Sequence, residues 1–139
     1  MSLPYAAVRY ASVLLSILML TGCGNNDKED IHRILDSRDR AVSTHDIKAY
    51  SKLLMDDYAF QGKSASDAIN NINLLFQQFD MIQMQSSNRV IRYPDDMHAQ
   101  CEQNYLLRVK LDNEWRKTFQ RERILLTRTD GGWKISGGL

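Results

Sequence analysis

The spacing of apolar residues changes from a helical to a strand period about halfway along this chain of 139 residues. In the first half, apolar residues recur at helical spacing and mark one stripe of a helix ending near Thr44: Ile31, Ile34, Leu35 and Val42. In the second half, apolar and polar residues alternate one by one, as in a strand with one buried face. This order restricts the chain to folds in which early helices cover a later sheet.

Three helices are predicted before residue 80. Asn26 and Glu29 have the spacing of a capping pair and indicate the start of the first helix. Asp46 is expected to cap a second helix, whose apolar positions are Ile47, Tyr50, Leu53 and Leu54. A brief strand through Tyr58 and a turn at Gly62 follow. Ser66 is then expected to cap a third helix, which carries Ile69, Ile72, Phe76 and Phe79.

The second half predicts a strongly bent antiparallel sheet. After a less regular strand over residues 81 to 93, one long strand has apolar residues at its odd positions, which are Met97, Ala99, Cys101, Tyr105, Leu107, Val109 and Leu111. In the next strand Trp115 and Phe119 share one phase, but Ile124 and Leu126 have the other. We therefore expect a β-bulge within residues 120 to 123. Asp130-Gly131-Gly132 predicts a final tight hairpin.

These elements describe an α+β domain with three N-terminal helices packed on an antiparallel sheet. Three stretches of the chain resemble a known family. They are Asp46-Ile47 followed by Leu53-Leu54 and Asp57-Tyr58, then the helix that contains Ile69, and finally the hairpin from Arg128 to Ile135. With them the chain resembles the nuclear-transport-factor-two-like superfamily, which includes SnoaL-like cyclases and ketosteroid isomerase. The resemblance implies a cone-shaped domain with a pocket between sheet and helices.

The N-terminal residues indicate where in the cell the protein is located. Arg9 precedes an apolar run from Ala11 to Leu20, which stops at small residues before Cys23. Leu20-Thr21-Gly22-Cys23 resembles the bacterial lipobox, and this resemblance implies that the Cys23 sulfur is lipidated after cleavage in front of it. The run is about half the length of a spanning helix, so it fits a secretory signal better than a transmembrane anchor. An ordinary signal peptide with a coincidental cysteine remains an alternative.

This interpretation divides the chain into a signal peptide at residues 1–22, a short tether at 23–28 and one domain at 29–139. The lipid would place the protein in the cell envelope, attached to the membrane through Cys23. Gly24 follows the cysteine where an aspartate would retain a Gram-negative lipoprotein in the inner membrane. The resemblance therefore implies the periplasmic side of the outer membrane in such an organism.

Charge and cysteine content limit the partners. Without residues 1–22 the chain has 17 basic and 17 acidic residues, so we expect neither a basic face nor nucleic-acid binding. Cys101 is the one cysteine left after lipidation, and its place in the strand pattern indicates a buried, inert thiol. Three widely spaced histidines give no metal-ligand spacing, and the sequence indicates no cofactor.

Candidate site residues are few. Gln103 is the polar residue on the inward face of the long strand, and we expect it to line a ligand pocket with four aromatic residues, Tyr50, Tyr58, Tyr105 and Trp115. Asp57 and Tyr58 are the candidate catalytic residues, but the pattern favours a surface role at a helix end for Asp57 and a core role for Tyr58. Glu122 falls in the expected bulge, so its direction is open. His98 and Glu102 are expected to face solvent.

Two functional hypotheses follow. The favoured one is a non-catalytic, membrane-anchored domain that binds a small apolar or amphipathic ligand or a protein partner. The alternative is a SnoaL-like isomerase, cyclase or hydrolase with Asp57 or Glu122 as base and Tyr58 or Tyr105 as proton donor. A homodimer through the outer sheet face, with Leu106 at the contact, is a further expectation.

Overall fold

The computed structural model describes the backbone of residues 23–139 and the side chains from Asn26 onwards. The predicted signal peptide lies outside these residues, as does the Cys23 side chain. The elements are α1 (Cys23–Ser43), α2 (Ile47–Lys52), β1 (Ala59–Phe60), β2 (Lys63–Ser64), α3 (Ala65–Gln78), β3 (Met81–Asp95), β4 (His98–Leu111), β5 (Glu114–Thr129) and β6 (Gly132–Gly137). No described helix is long and apolar enough to span a membrane.

Strands β3 to β6 form one antiparallel sheet in the order β3-β4-β5-β6, and β1 and β2 form a separate small hairpin. Asp112 and Asn113 connect β4 to β5 and have φ values of 51° and 66°. Positive φ at both residues is typical of a two-residue hairpin turn whose twist matches that of the strands. Helix α1 packs across β3 and against α2. The predicted α+β architecture, with three helices on one face of an antiparallel sheet, is confirmed.

The core lies between α1, α2 and the inner face of the sheet. Its fully buried side chains include Ile31, Leu35 and Val42 from the predicted helical stripe and Tyr50 from α2. The strands contribute Ala99, Cys101, Ile124, Leu126 and Ile135. Ile135 belongs to β6, and the other four belong to the half of β4 and β5 near β6, so the helices cover that half. The inert-core interpretation of Cys101 agrees with its complete burial, which raises its pKa to about 11.

The predicted start of α2 is confirmed, and the predicted starts of α1 and α3 are corrected. Asp46 caps α2 as expected, because its Oδ1 accepts from the Ala49 amide at 2.9 Å. The cap of α3 is Ser64 and not Ser66, since the Ser64 and Asp67 side chains bond reciprocally to each other's backbone amides. Helix α1 begins at Cys23, so the residues expected to form a tether, 23–28, are helical.

The bulge expected within residues 120 to 123 is wrong. The register between β4 and β5 is continuous from His98 opposite Thr127 to Leu111 opposite Glu114. Trp115 and Phe119 lie on the outer face of the sheet, and the inward apolar residues of β5 begin at Ile124. The apolar phase changes because the helices leave the hairpin end of β5 uncovered, and not because the strand is kinked.

The structure places a β-bulge in β3 instead. The register to β4 shifts by one residue between Ser87 and Val90, and Asn88 has a φ of 55°. Asn88 and Arg89 therefore stand opposite the single residue Gln103, which is the geometry of a bulge. This extra residue turns Arg89 toward the helices, into the middle of the domain.

Candidate functional site

A buried ion pair lies at the centre of the inner sheet face. Gln103 of β4 stands opposite Glu122 of β5, and both side chains point inward because they share the phase of Cys101 and Ile124. Arg38 reaches them from α1, where it stands on the same stripe as Leu35. The fold thus places one cation, one carboxylate and one amide against each other beneath α1.

The three groups are joined by short hydrogen bonds. Arg38 donates from Nη1 to Glu122 Oε1 at 2.5 Å and from Nη2 to Oε2 at 3.1 Å, which makes the pair bidentate. Gln103 Nε2 donates to the same Oε1 at 2.7 Å. Burial lowers the pKa of Arg38, but the Glu122 carboxylate raises it, and the net shift is upward. The guanidinium therefore stays charged and holds Glu122 as its counter-ion.

A cleft of about 260 Å³ opens beside this ion pair. Its lining combines polar and apolar side chains from the helices, the sheet and the C-terminus: Arg38, Tyr50, Ala68, Asn71, Ile72, Tyr105, Gln120, Glu122, Gly138 and Leu139. Burial raises the pKa of both Tyr50 and Tyr105 above the usual value near 10. Both hydroxyls are therefore protonated at neutral pH and able to donate. Tyr105 donates to Gln120 Oε1 at 3.0 Å.

Arg89 contacts the ion pair through Gln103. Its Nε donates to Gln103 Oε1 at 2.9 Å, and its Nη1 donates to Asp36 of α1 at 2.7 Å. Because Gln103 Oε1 is occupied as an acceptor, its Nε2 must face Glu122 and Ser86 as a donor. The bulge in β3 thereby fixes the orientation of the amide that contacts the carboxylate.

The structure brings together some of the predicted site residues. Tyr50 and Tyr105 line the cleft, and Gln103, 1% exposed, contacts Glu122 directly. His98 and Glu102 face away from the cleft, on the outer side of the sheet. That the first three residues bind a ligand stays a prediction.

Three other site predictions need correction. Asp57 is exposed in the turn after α2 and does not line the cleft, so it is not placed for catalysis. Tyr58 is buried behind the cleft, where its hydroxyl donates to the Leu139 carbonyl at 3.0 Å and accepts from the Leu139 amide at 2.8 Å. It positions the C-terminus and does not face a ligand. Trp115 is on the outer face beneath Arg108 and Lys110.

Arg38 was missed by the sequence analysis, and the direction of Glu122 was left open. A signal for each is visible in the sequence. Arg38 follows Leu35 by three residues and precedes Val42 by four, which places a charge on the apolar stripe of α1. Glu122 has the phase of Ile124 and Leu126, which an unbulged strand places on the inner face. A charged residue at each of two facing core positions indicates a buried pair.

No protein-family model matches the sequence, and no curated protein matches it. Solved structures do match the fold. The Kfla4162 protein from Kribbella flavida aligns with a TM-score of 0.74 at 13% identity, over 83% of this chain and 89% of that one. A protein from Streptomyces avermitilis assigned as a dehydratase of the NTF2-like family aligns with a TM-score of 0.71 at 12% identity, over 82% and 94%.

A third match is the hexachlorocyclohexane dehydrochlorinase LinA-type3 from Novosphingobium barchaimii. Its TM-score is 0.71 at 15% identity, over 81% of this chain and 84% of that one. Identities this low establish the fold alone. They nevertheless bear on the expectation of a non-catalytic domain, because matching structures include proteins named for dehydratase and dehydrochlorinase activities.

The expectation of a non-catalytic domain is therefore corrected. It depended on finding no inward carboxylate on the strands, and Glu122 is such a carboxylate, in the wall of the cleft. The enzymes among the matching structures point the same way. With three helices over one face of a curved antiparallel sheet and a cleft between them, the chain has the nuclear-transport-factor-two-like fold.

Proposed function

We propose that this chain is a small-molecule enzyme that removes a proton from carbon, with Glu122 as the base. The single observation that carries the proposal is the position of an Arg38-bound carboxylate in the wall of a cleft that also presents the Tyr105 hydroxyl. A carboxylate and a protonated phenol at one cleft are the two partners that acid–base chemistry needs. Glu122 and Tyr105 were among the candidate bases and donors of the alternative hypothesis from the sequence, which named an isomerase, cyclase or hydrolase.

The two oxygens of Glu122 are not equivalent. Oε1 accepts from both Arg38 and Gln103, whereas Oε2 accepts, within the described part of the chain, one longer bond from Arg38. An ionised carboxylate oxygen can accept more than one hydrogen bond. Oε2 is therefore the atom with capacity to receive a proton from a substrate.

The proposed reaction is an elimination. Glu122 Oε2 takes a proton from the carbon next to a carbonyl, and the C–H electron pair becomes the second bond of a new C=C. A hydroxyl on the neighbouring carbon leaves with the Tyr105 proton as water. The proton on Glu122 then returns to the Tyr105 oxygen through solvent in the cleft, so both groups end in their starting states.

The cleft has room for a compact molecule. Its volume of about 260 Å³ lies just below the range of about 300–1,000 Å³ typical of pockets for drug-sized ligands. Ala68, Ile72 and Leu139 supply an apolar wall, while the amides of Asn71 and Gln120 can bind oxygen atoms. We therefore propose small β-hydroxy carbonyl compounds, or analogues with a halide leaving group, as the substrate class.

The test is solvent deuterium incorporation. Small β-hydroxy ketones and β-chloro ketones are incubated with the protein in D₂O, and NMR follows exchange at the acidic carbon and formation of the alkene. Glu122→Gln should reduce the rate about 10²–10⁴-fold, and Tyr105→Phe should slow elimination more than exchange. Glu102→Gln is the matched control, because Glu102 lies on the outer face of the same sheet. Equal rates in Glu122→Gln and the wild type would refute the proposal.

Attachment to the cell envelope is a separate proposal. It is supported by the apolar run from Ala11 to Leu20 and by the resemblance of Leu20-Thr21-Gly22-Cys23 to a lipobox. Lipid at Cys23 would hold the catalytic domain at a membrane surface.

A further inference from the structure

The outer face of the sheet carries a concentration of positive charge. The side chains that form this basic sheet face come from the outward positions of β3, β4 and β5, and they are Arg92, Arg108, Lys110, Lys117, Arg121 and Arg123. Two acidic residues share this face: Glu102, which binds Arg92, Arg121 and Arg123, and Asp95, which stands opposite His98 at the end of β3. The formal charge of the basic sheet face is therefore +4.

This charge is separated from an equal negative charge elsewhere. Residues 23–139 contain as many acidic as basic residues, so everything outside the basic sheet face has a net charge of −4. The neutral composition led us to expect no basic face, and that expectation is wrong. Alternation along three strands has gathered the cations on one side, a distribution that the net charge does not reveal.

Apolar side chains interrupt the charges in the same area. Phe119 is 66% exposed and stands opposite Leu106, while Trp115 is 39% exposed and stands opposite Lys110. The Arg108 guanidinium lies 5.2 Å and the Lys110 ammonium 6.0 Å from the centre of the Trp115 ring. Exposed aromatic rings flanked by Lys and Arg are typical of surfaces that sit at the boundary between lipid headgroups and acyl chains.

We propose that the basic sheet face docks on an anionic lipid bilayer. Lys and Arg would lie among the phosphate headgroups, and Trp115, Phe119 and Leu106 would insert at the boundary with the acyl chains. A second copy of this chain fits the face less well, because a face-to-face dimer would bring +4 against +4. The apolar run that precedes the described domain also favours a membrane over a nucleic acid as the partner.

The experiment compares vesicles that differ in charge alone. The full chain is mixed with vesicles of phosphatidylglycerol and phosphatidylcholine, and separately with vesicles of phosphatidylcholine alone, and the partition coefficients are measured by co-sedimentation. Their ratio removes the contribution of the N-terminal residues, which are present in both. Each basic residue near an anionic surface contributes about a fivefold gain in affinity. The triple variant Arg108→Gln, Lys110→Gln, Lys117→Gln should therefore lower the ratio roughly 100-fold.

The matched control removes three exposed charges from the helices, in the variant Arg33→Gln, Arg40→Gln, Lys48→Gln. It should leave the ratio within about twofold of the wild type. Lipids brominated near the headgroup should quench tryptophan fluorescence in the wild type and much less in Trp115→Phe.

Three results would overturn the proposal. The first is a ratio that the two triple variants lower equally, or not at all. The second is binding to single-stranded polynucleotide, lost in the sheet-face variant, together with a vesicle ratio near one in the wild type. The third is a wild-type dimer, seen by sedimentation velocity, that the sheet-face variant converts to a monomer while vesicle binding does not change.

Discussion

Replacing Arg38 with methionine should leave the Glu122 carboxylate buried without its cation. Methionine keeps an unbranched apolar chain in the space of the arginine stem, so the change removes charge and hydrogen bonds with little loss of packing. The two charged side chains are 8% and 11% exposed, which makes this a buried pair. After the substitution, Gln103 is the one hydrogen-bond donor left to Glu122 in the described part of the chain.

The magnitude follows from these contacts. Removing one partner of a buried ion pair costs about 3–5 kcal/mol, because the other charge is left uncompensated. The remaining hydrogen bond from Gln103 to a charged oxygen offsets part of this cost. We therefore expect Arg38→Met to lower the free energy of unfolding by about 3 kcal/mol. Adding Glu122→Gln should recover part of that loss, since the buried charge is then gone.

Urea denaturation at pH 7 measures both variants against the wild type, with the unfolding slope checked for constancy. Arg33→Met is the control, because Arg33 pairs with Asp30 at the surface, where 71% and 46% of the two side chains are exposed. An exposed pair of this kind contributes about 1 kcal/mol or less. A loss in Arg38→Met no larger than in Arg33→Met would refute the buried pair, as would a double variant less stable than either single one.

Three further predictions concern the ends of the fold and its core. Cys23→Ser should abolish incorporation of a radiolabelled fatty acid in a bacterial host, and retained label would contradict lipidation at this residue. Cys101 should react with a thiol reagent after denaturation and not before, because burial raises its pKa to about 11; rapid labelling of the native protein would contradict this. Hydrogen bonds from Arg128 and Trp133 lower the pKa of Asp27 below 3.8, so its stabilising effect is present at neutral pH and lost as the pH falls below that value. Asp27→Asn should therefore destabilise the protein more at pH 7 than at pH 3 by thermal unfolding, and an equal effect at both would contradict the assignment.

Local signals were enough to predict most elements. The helical stripe through Ile31, Leu35 and Val42 and the cap at Asp46 depend on residues close in sequence, and both are as the chain alone predicts. The alternation in β4 likewise placed Ala99 and Cys101 inside. Such patterns depend on local geometry, which the sequence specifies directly.

What the sequence did not predict depends on which part of the sheet the helices cover. Trp115 and Phe119 share a phase that was expected to face inward, with Trp115 lining the ligand pocket, and this required a bulge that β5 does not contain. The error also left the direction of Glu122 open. The actual bulge at Asn88 turns Arg89 inward, and a single asparagine in a polar stretch gives little warning of it. Periodicity distinguishes the two faces of a strand, but the tertiary structure decides which part of each face the helices cover.

Chemical rescue tests the role of Glu122 most directly. Glu122→Ala removes the proposed base and leaves space for a small carboxylate beside Arg38, as Glu102→Ala on the outer face does not. Rates of deuterium exchange into a small β-hydroxy ketone are measured for both variants with increasing formate. We predict a large loss of rate in Glu122→Ala that formate partly restores, and wild-type rates without a formate effect in Glu102→Ala. A wild-type rate in Glu122→Ala, or an equal loss in the two variants, would contradict Glu122 as the base.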